Sequence, residues 1–298
     1  MSRAGRTKVV VDTDIGTDPD DCLALAYLAL HPDCDLLGVT IVTGGVEKRA
    51  AIAEVLLRVC GRSDVPIHLG RREPLLKGDG QPDVQSYEFV QPLDHRVEWP
   101  ENTAVDFLRQ TIRDNAGEVV LLTIGPLSNV GTLFALDPEL PSLCRDIVSM
   151  AGTFFNPESH LEWNMLCDET ATAIMLKTPR PRHWFVGLDV TRPCTLWTED
   201  VEKRIYKDLG DLGALIQTIG DWWLKKKQRF TFHDPLAAAV IFQPDLCKWR
   251  RGRVVLDPND GATGFDEGKG DDIVAYDVDP DAFFAHFFAV IKNADQAE

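Results

Sequence analysis

Short runs of β-branched and aliphatic residues alternate along the chain with longer stretches in which apolar positions recur every three or four residues. KVVVDTD, LLGVTIVT, PIHLG, EVVLLTIG and DIVSMAG read as strands, and helices are expected to begin near 20, 47, 102 and 128. Strand then helix, repeated, is the pattern of crossover units in a mostly parallel sheet with helices on both faces. Val9, Val10 and Val11 in a row suit a strand buried on both sides, and the apolar run Cys22 to Leu30 suits a helix packed on most of its faces. The second half is less regular. It predicts a helix at 168–177, a strand in HWFVGLDV, two or three helices between 199 and 243, short strands near 253 and 273, and a closing helix from about 280. No repeat of roughly 20 to 50 residues and no Ser/Gly linker divides the sequence, so residues 1–298 are expected to form a single α/β domain whose helical C-terminal part helps cover the site.

Composition narrows the partners. With 44% hydrophobic and 26% charged residues the chain has the make-up of an ordinary globular protein. A formal charge of −16 argues against nucleic acid, whose phosphates draw affinity from Lys and Arg, and against anionic membrane surfaces. Cysteines stand singly at 22, 34, 60, 144, 167, 194 and 247, which reads as reduced thiols rather than a disulfide framework. The opening MSRAGRTK lacks the apolar stretch of a signal peptide, and no run approaches the roughly 20 apolar residues of a membrane span. A cytoplasmic protein is expected.

VVVDTDIGTDPDDCLALAYLAL, residues 9–30, places Asp12, Asp14, Asp18, Asp20 and Asp21 between strand and helix. In an open α/β sheet ligands bind at the carboxyl ends of strands, so these acids lie where chemistry is usually found. A helix N-terminus offers about half a unit of positive charge, enough for one carboxylate but not for four or five. A solvated acidic turn accounts for one or two aspartates, and a bound cation accounts for all of them. Strand, D-x-D and turn also open the haloacid dehalogenase phosphatases, in which Asp12 would be the nucleophile, Mg²⁺ would hold the phosphate and GKGDD at 268–272 would supply the late acidic pair. That family carries Thr or Val where Gly16 stands.

Two further stretches concentrate polar groups. FTFHDPLAAAVIF, residues 230–242, puts His233 and Asp234 ahead of a proline suited to a first helical turn, with Asp234 at or near the N-cap. AGTFFNPESHLEWNMLCDETATAIML, residues 151–176, gathers Asn156, Glu158, Glu162, Asn164, Asp168 and Glu169, the multiple hydrogen-bonding groups that a sugar site requires. Phe154, Phe155, Leu161, Trp163 and Met165 in the same stretch argue against a merely solvated loop. The glycine-rich DGATGFDEGKGDD at 260–272 does not fit an EF-hand, since Ala262 and Gly268 occupy positions six and twelve counted from Asp257; an acidic solvated turn is expected there.

Together these segments resemble the calcium-dependent nucleoside hydrolases. DTDIGTDPDDCLAL is similar to their D-x-D-x-G-x-D-D turn with two residues, Thr17 and Asp18, inserted; TIGPLSNV at 123–130 is similar to their G-P-L-T-N motif; MAG at 150–152, Asn156 and the E-x-N of 162–164 resemble their sugar-binding stretch; and HDPLA resembles their C-terminal HDP motif. The order and spacing agree from about residue 8 to 290. The chain departs from the family in having Gly45 where an Asn is usual and Lys77 where a His is common. The resemblance implies a Rossmann-like open sheet, hydrolysis of the N-glycosidic bond of a ribonucleoside, and a Ca²⁺ held by Asp14, Asp21, the carbonyl of Ile124, Asp234, a water and two ribose hydroxyls. It further implies that Asp14 acts as base, that Asp20, Asn156, Glu162, Asn164 and Met150 contact the substrate, and that His233 serves the leaving base. A homodimer or homotetramer is expected. In IGDWWLKKKQRF, adjacent helical positions point about 100° apart, so one tryptophan, Trp223, is expected to line the base pocket while Trp222 packs inward. A catalytically silent ribose-binding protein of the same fold remains an alternative.

Overall fold

In a computed structural model, residues 5–156, 161–257 and 259–294 are described. Strand β1 (Thr7–Thr13) sends Val9 and Val11 to one face of a sheet and Val10 to the other, all three completely buried, as the two-residue period of a strand dictates. The same split recurs in β4 (Val119–Thr123), with Val120 and Leu122 facing one core and Val119 and Leu121 the other. Continuous apolar runs are therefore the mark of strands covered on both sides.

Strands β2 (Cys34–Ile41), β3 (Ile67–Leu69), β5 (Asp146–Ser149), β6 (His183–Phe185), β9 (Cys247–Leu256), β10 (Thr263–Glu267) and β11 (Asp272–Val278) complete a nine-stranded sheet. Its order is β10-β9-β11-β6-β5-β4-β1-β2-β3. Pairing is parallel from β3 to β11, and β9 and β10 join antiparallel at the edge. A separate ribbon pairs β7 (Thr195–Trp197) with β8 (Arg229–Thr231). The chain runs outward from β1 to β2 and β3, then returns to lay β4 on the other side of β1. That reversal makes the loops after β1 and β4 diverge and opens a crevice at their carboxyl ends.

Helices α1 (Asp20–Leu30) and α2 (Val46–Val59) follow β1 and β2; α3 (Ala104–Asp114) and α4 (Ser128–Leu136) flank β4; α5 is Glu169–Lys177, α6 Gly210–Lys227, α7 His233–Ala239 and α8 Pro280–Ala294. Residues Asp20 to Ala29 of α1 are all buried, and α1 packs against α7. This packing sets the amino ends of two distant segments side by side.

Two expectations need correction. Only His183–Phe185 of HWFVGLDV is strand; after Gly187 the chain makes a helical turn at Leu188–Thr191, and the Leu188 amide donates to the Gly152 carbonyl at 2.9 Å. The 260–272 segment is not simply a solvated turn. Thr263–Glu267 forms β10, with Phe265 packed against the second core, and only the turn through Gly268 and Gly270, both left-handed, separates it from β11. The C-terminal part thus extends the sheet as well as adding helices.

Candidate active site

β1 delivers its acids to two different places. Asp12 is completely buried and accepts hydrogen bonds from Thr40 Oγ1 at 2.5 Å and Asn129 Nδ2 at 2.8 Å. Asn129, from the TIGPLSNV motif, also donates to the Ile41 carbonyl and accepts from the Arg71 amide. Asp12 therefore braces strands from inside. A phosphatase nucleophile must reach substrate, so the haloacid dehalogenase reading of this residue does not hold.

Asp14, Asp18, Asp20 and Asp21 turn toward the crevice. Gly125 permits this close approach, because a Cβ there would stand 2.8 Å from the Asp14 amide nitrogen and 2.9 Å from its Oδ1. Thr13 Oγ1 donates to Asp21 at 2.5 Å, and the Asp234 amide donates to Asp20 at 3.2 Å, linking α1 to the start of α7. Carboxylate oxygens of Asp20, Asp21 and Asp234 lie within 4.8 Å of one another, and all three residues are buried. Two unit charges at that separation repel by about 3.5 kcal/mol at an effective dielectric constant near 20, so three ionised carboxylates are not stable together alone. Burial, then mutual repulsion, raises Asp20, Asp21 and Asp234 well above the usual carboxylate range and brings Asp18 to about 7; burial also raises Asp14. Asp18 Oδ1 is buried without a hydrogen-bond partner.

A hard divalent cation fits this donor set. Oxygens 2.3–2.6 Å from Ca²⁺ stand up to about 5 Å apart across the ion, which the Asp20–Asp21–Asp234 spacing satisfies. The trio differs from the set expected from resemblance. Asp20, expected at the sugar, belongs geometrically with Asp21 and Asp234, whereas Asp14 sits beside them. The Ile124 carbonyl, expected as a ligand, accepts a hydrogen bond from Asn164 Nδ2 at 3.0 Å.

These groups line a cavity of about 440 Å³. Its walls bring together Asp14, Asp20, Asp21, Ile124, Met150, Glu162, Asn164, Trp223, His233 and Asp234 from stretches up to 220 residues apart. Glu162 caps the short helix 163–167, accepting from the amides of Asn164 at 2.7 Å, Met165 at 3.1 Å and Gly152 at 3.0 Å. Asn164 Nδ2 also reaches the Met150 carbonyl at 3.1 Å. His233 Nδ1 shares a 2.7 Å hydrogen bond with Thr191 Oγ1, which fixes the ring and leaves Nε2 to the cavity. Burial, with the charges of Arg192 and Arg229, lowers His233 to about 4, so the ring is neutral at neutral pH.

Other sequence expectations land elsewhere. Asn156 is not among the cavity-lining residues, and Glu158 lies outside the described residues. Asp168 caps α5 and accepts from Ala171, Ser128 and Leu75, a structural tie. Lys77 is exposed and lines a neighbouring depression. Trp223 lines the cavity, and half-buried Trp222 turns to the buried Ser86, its Nε1 donating to Ser86 Oγ at 3.3 Å. Phe154 and Met165 are buried as their character requires, whereas Phe155, Leu161 and Trp163 are exposed.

Thr17, Gln81, Trp163 and Leu188 are cavity walls that no motif marked. Gln81 is brought in by the loop after β3, which rests on left-handed Gly44; a Cβ at Gly44 would stand 2.0 Å from the Gln81 carbonyl. Gln81 lines the cavity, and its Oε1 is buried without a hydrogen-bond partner. Arg49 was equally hidden. Fully buried, it donates from Nε to the Thr43 carbonyl at 2.8 Å, from one terminal nitrogen to the carbonyls of Asp14 and Ile15, and from the other to the Gln81 carbonyl at 2.9 Å.

A family model described as inosine-uridine preferring nucleoside hydrolase matches residues 9–285. The pyrimidine-specific ribonucleoside hydrolase RihB of Escherichia coli O1:K1 is 29% identical over 276 residues, covering 86% of this chain and 85% of the relative. Among solved structures, the purine-preferring ribonucleoside hydrolase from Gardnerella vaginalis superposes with a TM-score of 0.84 at 24% identity, covering 98% of this chain and all of that one. The plant nucleoside hydrolase PpNRh1 gives 0.82 at 22% identity, covering 98% and 99%. At such identities these two structures speak to the fold.

Proposed function

The chain belongs to the inosine-uridine preferring nucleoside hydrolase family, and from that premise we propose that it cleaves the N-glycosidic bond of a ribonucleoside to ribose and free base, with Ca²⁺ as cofactor. The observation that carries the reading is one cavity whose lining combines buried carboxylates with a neutral histidine and a tryptophan. The first suits a polyhydroxylated sugar and a cation, the second a flat heterocycle.

Asp20, Asp21 and Asp234 would hold the ion, with Asp14 and the Ile124 carbonyl at its margin. Bound there, Ca²⁺ would coordinate ribose hydroxyls and acidify a water molecule. Asp14, whose carboxylate burial makes more basic, is suited to take a proton from the attacking water. As water adds to the anomeric carbon, the carbon–nitrogen bond breaks and the base leaves with its electron pair. The oxocarbenium-like charge that develops on the sugar is stabilised by nearby carboxylates, as in glycoside hydrolysis generally. Glu162, held by three amides, Asn164 and the Met150 backbone orient the hydroxyls; Asn156 is placed at the rim of this set by resemblance alone. His233, positioned by Thr191, hydrogen-bonds the departing base through Nε2 and supports its protonation. Trp223 stacks on the base, worth about 1 to 3 kcal/mol.

We read the protein as a cytoplasmic homodimer or homotetramer acting on a small nucleoside, without nucleic-acid or membrane partners. The net charge of −16 supports the reading without nucleic-acid or anionic membrane partners, and the singly spaced cysteines support a reducing compartment. Among the described residues no helix is long and apolar enough to cross a membrane. Incubation with a panel of purine and pyrimidine ribonucleosides, with Ca²⁺ or with a chelator, tests the activity by following free base chromatographically. Release that depends on the ion is expected; tight ribose binding with no release of base from any nucleoside would instead establish a silent binding protein.

A further inference from the structure

Behind the His233 wall lies a second cavity of about 530 Å³, lined by Arg192, Pro193, Thr195, Trp197, Arg229 and Thr231 and sharing Leu188 and His233 with the first. Its chemistry is the reverse of its neighbour's. Most described arginines pair with carboxylates, as Arg113 does with Asp137, Arg180 with Asp272 and Arg250 with Glu267. Arg192 and Arg229 have no such partner among the described residues, in a chain carrying 47 acidic side chains. Both are exposed, yet close enough for their charge to act on the His233 ring. The Arg229 guanidinium lies 5.7 Å from the ring centre of Trp197, itself 58% exposed. The Thr195 and Thr231 hydroxyls are 2.9 Å apart and bonded to each other, and Thr195 Oγ1 donates to the Arg192 carbonyl at 3.0 Å, which fastens the two segments that carry the arginines.

Two guanidiniums without a carboxylate partner and an exposed indole make a site for an anionic oxygen group attached to something flat. His233 and Leu188 line both cavities, so a substituent on a base held against His233 would be directed to the second one. We propose that this second cavity is a subsite for a carboxylate borne on the nucleobase, so that the preferred substrates are ribonucleosides with an acidic base. This rests on the nucleoside-hydrolysing reading of the first cavity.

The test compares 5-carboxyuridine with 5-carbamoyluridine, its neutral counterpart of similar shape, with uridine turnover as the control. Wild-type protein should favour the carboxylate in kcat/KM by about tenfold or more, as a charge-assisted hydrogen bond to each guanidinium would give, and the preference should shrink as salt is raised. Arg192→Gln combined with Arg229→Gln should bring the ratio close to one. Uridine turnover with a wild-type ratio near one, or a ratio that survives in the double variant, would overturn the subsite while leaving the activity standing. If no nucleoside turns over, calorimetric binding of the same two compounds still decides: tighter binding of the carboxylate supports the subsite, and equal or no binding overturns it. Inorganic phosphate that inhibits uridine and both test compounds alike, with no preference between them, would show a free-anion site and also overturn the proposal.

Discussion

Arg49 shows how one residue can organise a site without touching substrate. Its bonds to Thr43, Asp14, Ile15 and Gln81 fasten the acid turn, the loop after β2 and the loop after β3 to one point. Arg49→Met leaves several buried carbonyls unpaired, each worth about 1–3 kcal/mol, so denaturant unfolding should show a loss of about 3 kcal/mol or more; Arg49→Lys, which keeps the charge but not the fork, should recover part of it. A loss below about 1 kcal/mol for Arg49→Met would mean that the turn holds itself. Asp14→Asn keeps the shape of the side chain but removes a proton acceptor, and kcat should fall by about 10² to 10⁴. Activity within about tenfold of wild type would move the base to Asp18 or Asp20. The aspartates were legible in the sequence because five acids crowd into one turn. Arg49 was not, because an arginine within VEKRAAIAEVLL reads as part of a helix's solvated face, and only the packing of α2 against the turn buries it. Thr17, Gln81 and Trp163 were hidden for a related reason: their side chains are ordinary, and only the placement of two loops and of the short helix that Trp163 opens brings them to the wall.

At the scale of elements, the alternation of apolar runs located β1 to β5 and the helices between them to within a few residues, since both faces of those strands are covered. It failed where the local pattern is weak. β10 is short, glycine-bearing and acidic, and it becomes a strand only because β9 offers an edge to pair with. Phe185 ends β6 sooner than HWFVGLDV suggests, because the chain must turn at Gly187 to place Thr191 beside His233. α6 carries the element-scale prediction. Trp223 faces the cavity and Trp222 faces Ser86, so Trp223→Ala should alter the ratio of purine to pyrimidine kcat/KM, whereas Trp222→Ala should leave that ratio within about twofold. The expected size of the Trp223 effect is that of lost stacking, about 1–3 kcal/mol in total but unequal between bases. A shifted ratio in Trp222→Ala alone would assign base recognition to the loop carrying Ser86.

At the scale of the whole molecule, a strand-order reversal beside β1 and the packing of α1 on α7 unite acids more than 200 residues apart. Sequence order alone shows the motifs, not that Asp20 joins Asp21 and Asp234 while Asp12 is withdrawn. The fold also carries buried histidines remote from the acids. His183 lies between Ser149 at 2.8 Å and Arg180 at 2.9 Å, and burial with the Arg180 charge holds it well below its usual range; burial lowers His31 to about 4. As pH falls below about 6.5, the unfolded chain binds protons that these folded rings refuse, so their contribution to stability is present above that pH and is lost toward acid. His183→Gln should therefore show a shallower loss of stability between roughly pH 6.5 and 4.5 than wild type; parallel curves would place the acid sensitivity elsewhere. If the chain is one domain, as we propose, each of these unfolding curves should be a single cooperative transition.

Everything above turns on the acid-lined cavity adding water across a ribosidic bond. Its most direct measurement is a single-turnover reaction of Ca²⁺-loaded protein with uridine in ¹⁸O-labelled water, with mass spectrometry of both products. Free uracil without label and ribose carrying one ¹⁸O are expected, with both products abolished in Asp234→Asn. Unlabelled ribose product, or uracil released equally by the Asp234→Asn variant, would contradict it.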